Sequence, residues 1–89
     1  MLTQTITIIN KRGLHARAAA KFATTAAQFN SRIQARTNGM WVEGKSVMAL
    51  MLLAATQGTL LDVSTEGEDE VSAMQAIRAL IEDRFEEGE

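Results

Sequence analysis

The spacing of apolar residues changes period within the first 27 positions, and this change limits the fold more than any other feature of the chain. From Leu2 to Ile9 polar and apolar residues alternate. Leu2, Gln4, Ile6 and Ile8 fall on one face of an extended segment, with Thr3, Thr5 and Thr7 on the other. That is the pattern of a strand with one face against a core. From Ala16 to Ala27 the spacing becomes helical, with Ala19, Phe22, Ala23 and Ala26 on one side. The many alanines favour helix and allow close packing on a sheet. Asn10 to Gly13 is a polar loop between the two patterns.

The remaining residues repeat this logic. Arg32 to Thr37 reads as a second strand, with Ile33 and Ala35 facing inward. Asn38-Gly39 is a strong two-residue hairpin signal. Met40 to Glu43 then forms a short antiparallel strand, with Trp41 a sheet residue beside the turn. Ser46 is placed as the N-cap of a short helix from Val47 to about Leu53. Leu60 to Glu66 is a fourth strand. Val71 to about Phe85 is a final amphipathic helix, with Met74, Ile77, Ile81 and Phe85 on one stripe. Glu68, Asp69 and Glu70 lie at its positive end, where the helix dipole favours them. The tail Glu86–Glu89 is expected to fray.

The order βαββαβα in 89 residues predicts an α+β fold, a two-layer open-faced β-sandwich. A four-stranded antiparallel sheet would carry three helices on one face. Hydrophobic residues make up 46% of the chain, enough for one modest core, so residues 1–89 are expected to form one domain. The run Val47–Ala55 is too short to span a bilayer, and the N-terminus lacks a signal-peptide design. With no cysteine, disulfide and thiolate chemistry are excluded. A cytoplasmic protein is expected, without membrane partners.

Charge is distributed unevenly. Residues 1–45 contain seven Lys/Arg against one acid, Glu43, and are net +6; residues 46–89 contain two against ten and are net −8. Lys11, Arg12, Arg17, Lys21 and Lys45 gather near the start of the first or second helix. A positive field there would attract anionic ligands or acidic partner proteins. Nucleic acid fits less well, because the chain is acidic overall and has few stacking aromatics.

His15, the single histidine, lies where the strand pattern stops and the helix begins. On spacing alone such a histidine is most often a cap or a solvated loop residue. Its neighbours permit more. The first N–H groups of a helix have no internal acceptor and form an anion site. Neutral imidazole is a good nucleophile near neutral pH. Arg17 can give charged donors to phosphate oxygens, and Gly13 allows backbone shapes that other residues resist. No metal site is expected from one histidine and no cysteine. Nor is there a glycine-rich nucleotide loop; no cofactor is implied. A small hydrolase using His15 as a base would lack a visible nucleophile and orienting acid.

Gly13-Leu14-His15-Ala16-Arg17, followed by Ala19-Ala20-Lys21-Phe22, resembles the active-site signature of the HPr family. These are the histidine-containing phosphocarriers of the phosphoenolpyruvate-dependent phosphotransferase system. Lys45-Ser46-Val47-Met48-Ala49-Leu50-Met51 is similar to the family's second signature. Gln57-Gly58-Thr59 and Glu66-Gly67-Glu68-Asp69-Glu70 also match, so the likeness runs end to end. It implies a carrier, not an enzyme that turns over a small substrate. His15 would accept phosphate on Nδ1 from phosphorylated enzyme I and pass it to the histidine of an enzyme IIA protein. Ala16 and Arg17 would bind the phosphoryl group. The exposed parts of the first two helices would form one docking surface for both partners, and a monomer suits such a role.

Ala18 departs from the family, which usually has proline there. Alanine keeps the helix. The change leaves phosphate acceptance intact and points toward proteobacterial members of a nitrogen-related or incomplete, regulatory system. Ser46 has two compatible readings: an N-cap hydroxyl, and a regulatory phosphorylation site in members that coexist with an HPr kinase/phosphorylase. The second gives an alternative function, a regulatory binding module controlled through Ser46. Finally, Met48, Leu50, Met51, Leu52 and Leu53 are too many apolar residues to hide on one face of a short helix. Met48 and Met51 are expected to be partly exposed and to serve a partner interface.

Overall fold

The computed structural model describes residues 1–87. It contains β1 (Leu2–Thr7), α1 (Ala16–Ala27), β2 (Arg32–Arg36), β3 (Val42–Glu43), α2 (Val47–Leu52), β4 (Leu60–Glu66) and α3 (Glu70–Glu82). A short 3-10 turn, Arg84–Glu86, follows. The strands form one antiparallel sheet in the order β1-β4-β2-β3. The three helices and this sheet make the expected open-faced α+β fold.

Alternation decides which sheet face is covered. Ile6 and Ile8 are buried, and Thr3, Thr5 and Thr7 are exposed. Ile33 and Ala35 of β2 and Leu61 and Val63 of β4 are buried on the same side. They meet Ala19, Phe22, Ala23 and Ala26 of α1 and Met74, Ile77 and Ile81 of α3 in one continuous core. The small alanine face of α1 lets the helix lie close to the sheet.

Three boundaries differ from expectation. Pairing between β2 and β3 covers only Gln34 with Glu43 and Ala35 with Val42. That register is the one a two-residue turn at Asn38-Gly39 would set. Yet neither residue takes a positive φ, as a type I′ turn requires, and the ladder opens before the turn. Trp41 therefore stands just outside β3, where the Arg36 guanidinium lies 4.4 Å from its ring centre.

The last helix starts at Glu70 and ends at Glu82, short of Phe85. Phe85 still reaches the core, fully buried, because the chain breaks helical geometry at Arg84, Phe85 and Glu86, with φ of 53°, 52° and 64°. A burial stripe was therefore legible where a continuous helix was not. The third difference is the expected frayed tail. Glu86 and Glu87 are folded back onto the molecule, as described below; residues 88–89 of that expectation lie outside the described residues.

Asp69 does more than complement the α3 dipole. Its carboxylate accepts from the backbone N–H of Asn30 at 2.8 Å and of Ser31 at 2.9 Å, and from the Ser31 hydroxyl. It thereby ties the start of α3 to the α1–β2 loop. The Ser31 hydroxyl first, and the Asn30 and Ser31 amides with it, hold its carboxyl below the usual aspartate value of 3.8 despite some desolvation.

Candidate functional site

The site begins in the loop after β1. Ile8 N–H donates to Thr59 O at 2.9 Å, Gly58 N–H to Ile8 O at 2.7 Å, and Leu14 N–H to Ala55 O at 2.8 Å. These bonds stack residues 8–14 against the α2–β4 connection. Gly13 sits at the closest approach, with φ of +70°. A Cβ there would lie 2.4 Å from Ala55 O and 2.9 Å from Thr56 Cα, so glycine is required for both conformation and space. Buried Leu14 anchors the loop, and the next residue turns into α1.

That residue is His15. Its backbone is extended, with φ −79° and ψ −178°, and it is the N-cap of α1. Its Nδ1 accepts from the Arg17 N–H at 3.3 Å, a role more often filled by Ser, Thr, Asp or Asn. The ring is half-buried. Ala16 and Ala18 lie in the first turn, where N–H groups have no intrahelical acceptor. His15, Ala16 and Arg17 thus lie together at the positive end of a 12-residue helix.

The return of the C-terminal segment to this location was not foreseen. Phe85 is buried, and Lys21 Nζ donates to its carbonyl at 2.8 Å and pairs with Glu86 at 3.2 Å. Glu87 then lies against the histidine. Its Oε1 accepts from Asn10 Nδ2 at 3.0 Å, and its Oε2 is paired with His15 Nε2. Desolvation pushes the Glu87 carboxyl upward. Hydrogen bonds from Asn10 and His15, with the charge of Arg12, outweigh this and hold it below its ordinary value of 4.5. Asn10 is fully buried and also donates to Gly13 O at 2.8 Å.

Arg12, Arg17, Glu86 and Glu87 line a cleft of about 260 Å³ beside the ring. The charge split along the sequence is thus partly neutralised in space, since acids from the end of the chain cover the basic start of α1. The sequence signals for this were Phe85, a last apolar residue placed to anchor the tail, and the two acids directly after it.

Ser46 caps a different helix. Its Oγ accepts from Ala49 N–H at 3.2 Å. Along α2, Leu50 is fully buried while Met48 is 77% and Met51 43% exposed, as helical geometry predicted. Leu52, 82% exposed, belongs to the same apolar patch and was not singled out from sequence. No helix among the described residues is long and apolar enough to cross a membrane.

The site thus joins a half-buried histidine that caps a helix to two arginines lining a cleft. Residues 2–83 match the family model described as the PTS HPr component phosphorylation site. The chain belongs to the HPr family. It is 53% identical to phosphocarrier protein HPr of Neisseria meningitidis over 89 residues, covering all of both chains. The crystal structure of HPr-C-His from Thermoanaerobacter tengcongensis is 45% identical, with a TM-score of 0.93 and 98% of each chain covered. An HPr dimer from the same organism superposes with a TM-score of 0.76 at 45% identity, covering 96% of this chain and 98% of that one. HPr proteins are phosphocarriers of the phosphotransferase system and not turnover enzymes.

Proposed function

We propose that His15 carries a phosphoryl group on Nδ1, taken from phosphorylated enzyme I and passed to the histidine of an enzyme IIA protein. The observation that carries this reading is the Nδ1 lone pair, held at the start of α1 by the Arg17 N–H. In the acceptor step this lone pair forms the N–P bond. The bond from phosphorus to the donor atom breaks, and its electron pair leaves with the donor. The Arg17 N–H is then free to turn from Nδ1 to a phosphoryl oxygen. Ala16 N–H, from the same first turn, and the Arg17 guanidinium complete the anion site. Little else is needed, since phosphoryl transfer rests mainly on positioning and charge stabilisation.

Met48 and Met51, with Leu52 beside them, would form the apolar part of the surface that enzyme I and enzyme IIA share in turn. Methionine side chains suit a surface that must fit two partners. A monomer acting in the cytoplasm fits this exchange. Ser46 would serve as a regulatory site for an HPr kinase/phosphorylase. A phosphate there would place roughly −2 charge beside the docking patch and repel an acidic partner.

The test is relay. The chain is incubated with phosphoenolpyruvate and enzyme I, then mixed with enzyme IIA. Phosphoryl should appear on enzyme IIA only when the chain is present, and His15→Ala should abolish it. Undiminished relay by His15→Ala would overturn the assignment.

A further inference from the structure

We propose that Glu87 is a positioning residue for phosphoryl transfer, fixing the His15 tautomer and supporting the charge that the ring acquires when Nδ1 is phosphorylated. The inference rests on the carrier reading above and extends it to a residue 72 positions away in sequence.

Two neighbours assign the ring. Nδ1 accepts from the Arg17 N–H, so its lone pair points at a donor and its proton must be elsewhere. Nε2 faces Glu87 Oε2, and a carboxylate can only accept. The proton is therefore on Nε2 and is donated to Glu87. A carboxylate on one imidazole nitrogen holds the ring orientation and leaves the other nitrogen as base or nucleophile. Here the nitrogen left unprotonated is the one facing the first turn of α1.

The carboxylate is itself held. Asn10 Nδ2 donates to its other oxygen, and Asn10 is locked by its bond to Gly13 O. Behind it, buried Phe85 and the Lys21 bond to Phe85 O fix the segment. Arg12, Arg17 and Glu86 are the other charged groups around the cleft, with Lys21 paired to Glu86. Glu87 is thus no loose tail acid that happens to meet a histidine.

The contact acts in both half-reactions. When Nδ1 gives its lone pair to phosphorus, the ring becomes cationic and keeps Nε2–H, against which the carboxylate already lies. When phosphorus leaves for enzyme IIA, the N–P electron pair returns to Nδ1 and the imidazole departs neutral, with its proton still on Nε2. No proton needs to leave the ring in either direction. Neutralising the cation without removing the Nε2 proton keeps the phosphoryl group transferable.

Two measurements test this, one of them independent of phosphorylation. In ¹⁵N-edited NMR of the unphosphorylated protein at neutral pH, the His15 Nε2–H should be visible and slow to exchange with solvent. Glu87→Ala should lose that signal, and Glu87→Gln, which keeps an acceptor oxygen, should restore it. In the relay assay, Glu87→Ala should slow transfer roughly tenfold, the order expected from losing one charge-assisted hydrogen bond. Glu87→Gln should recover the ring signal but only part of the rate, a split that a purely structural role would not produce. Unchanged Nε2–H exchange in Glu87→Ala, or transfer within twofold of wild type in a folded variant, overturns the proposal. Failure of the wild type itself to take phosphoryl on His15 would instead defeat the carrier reading, and the NMR arm would still judge the Glu87 contact.

Discussion

The starts of α1 and α2 are built alike and surrounded differently. Each helix is capped by a side chain that accepts a backbone N–H, His15 Nδ1 from Arg17 at 3.3 Å and Ser46 Oγ from Ala49 at 3.2 Å. At α1 the cap is half-buried among charged groups drawn from both ends of the chain: Arg12, Arg17, Glu86 and Glu87. At α2 the cap stands beside an exposed apolar patch of Met48, Met51 and Leu52. Capping alone therefore gives neither site its chemistry. A charged cleft around a nucleophilic ring suits covalent transfer, and a serine beside an apolar surface suits docking and its control.

The sharpest way to break this contrast is at the ring. His15→Ala should remove acid-labile phosphorylation completely while leaving the fold intact by circular dichroism, since the first turn loses one long N–H···N bond and Glu87, which loses its ring partner, keeps Asn10. A comparable change at α2 should leave the adduct in place. Gly13→Ala comes next. It forces a side chain into a left-handed backbone position and against Ala55 O. Urea unfolding should show a loss of roughly 1–3 kcal/mol, and transfer should fall because the His15 loop shifts. Met48→Lys should leave urea stability unchanged within error, given its exposure, and raise the KM for enzyme I about tenfold by charging an apolar contact. An unchanged KM would remove α2 from the docking surface. Ser46→Ala should cost about 1 kcal/mol as a lost cap and leave phosphoryl uptake at saturating enzyme I unaltered.

The smallest effect expected is acid sensitivity at Asp69, which serves neither site. Its folded pKa lies below the ordinary aspartate value, so its contribution to stability is present above that value and is lost as pH falls through the folded pKa. Asp69→Asn should be less stable than wild type at neutral pH, with the gap narrowing below about pH 4. A gap independent of pH would show that the Ser31 and Asn30 bonds do not depend on the charge.

Much of this molecule was readable from local pattern. Period-two alternation found β1, β2 and β4, and helical spacing with the Ser46 cap found α1 and α2. Partial exposure of Met48 and Met51 was expected because a short helix cannot turn Met48, Leu50, Met51, Leu52 and Leu53 all to one face. What escaped depends on contacts distant in sequence. The buried stripe ending in Phe85 gave no warning of the break at Arg84, since a residue can be buried from a helix or from a tight left-handed turn. For Glu87 the local signals, an apolar Phe85 followed by two acids, do not extend to its contact with His15. Its role needs Phe85 in the core, Lys21 on the Phe85 carbonyl and Asn10 beneath the His15 loop, three pairings that only the folded chain brings together.

The most direct test of the central claim is the chemical form of the phosphoryl group. The chain is incubated with phosphoenolpyruvate and enzyme I, and its mass is measured before and after brief acid treatment. We expect one added phosphoryl group that acid removes and that His15→Ala never acquires. An acid-stable adduct, or an acid-labile one that persists in His15→Ala, would contradict the account.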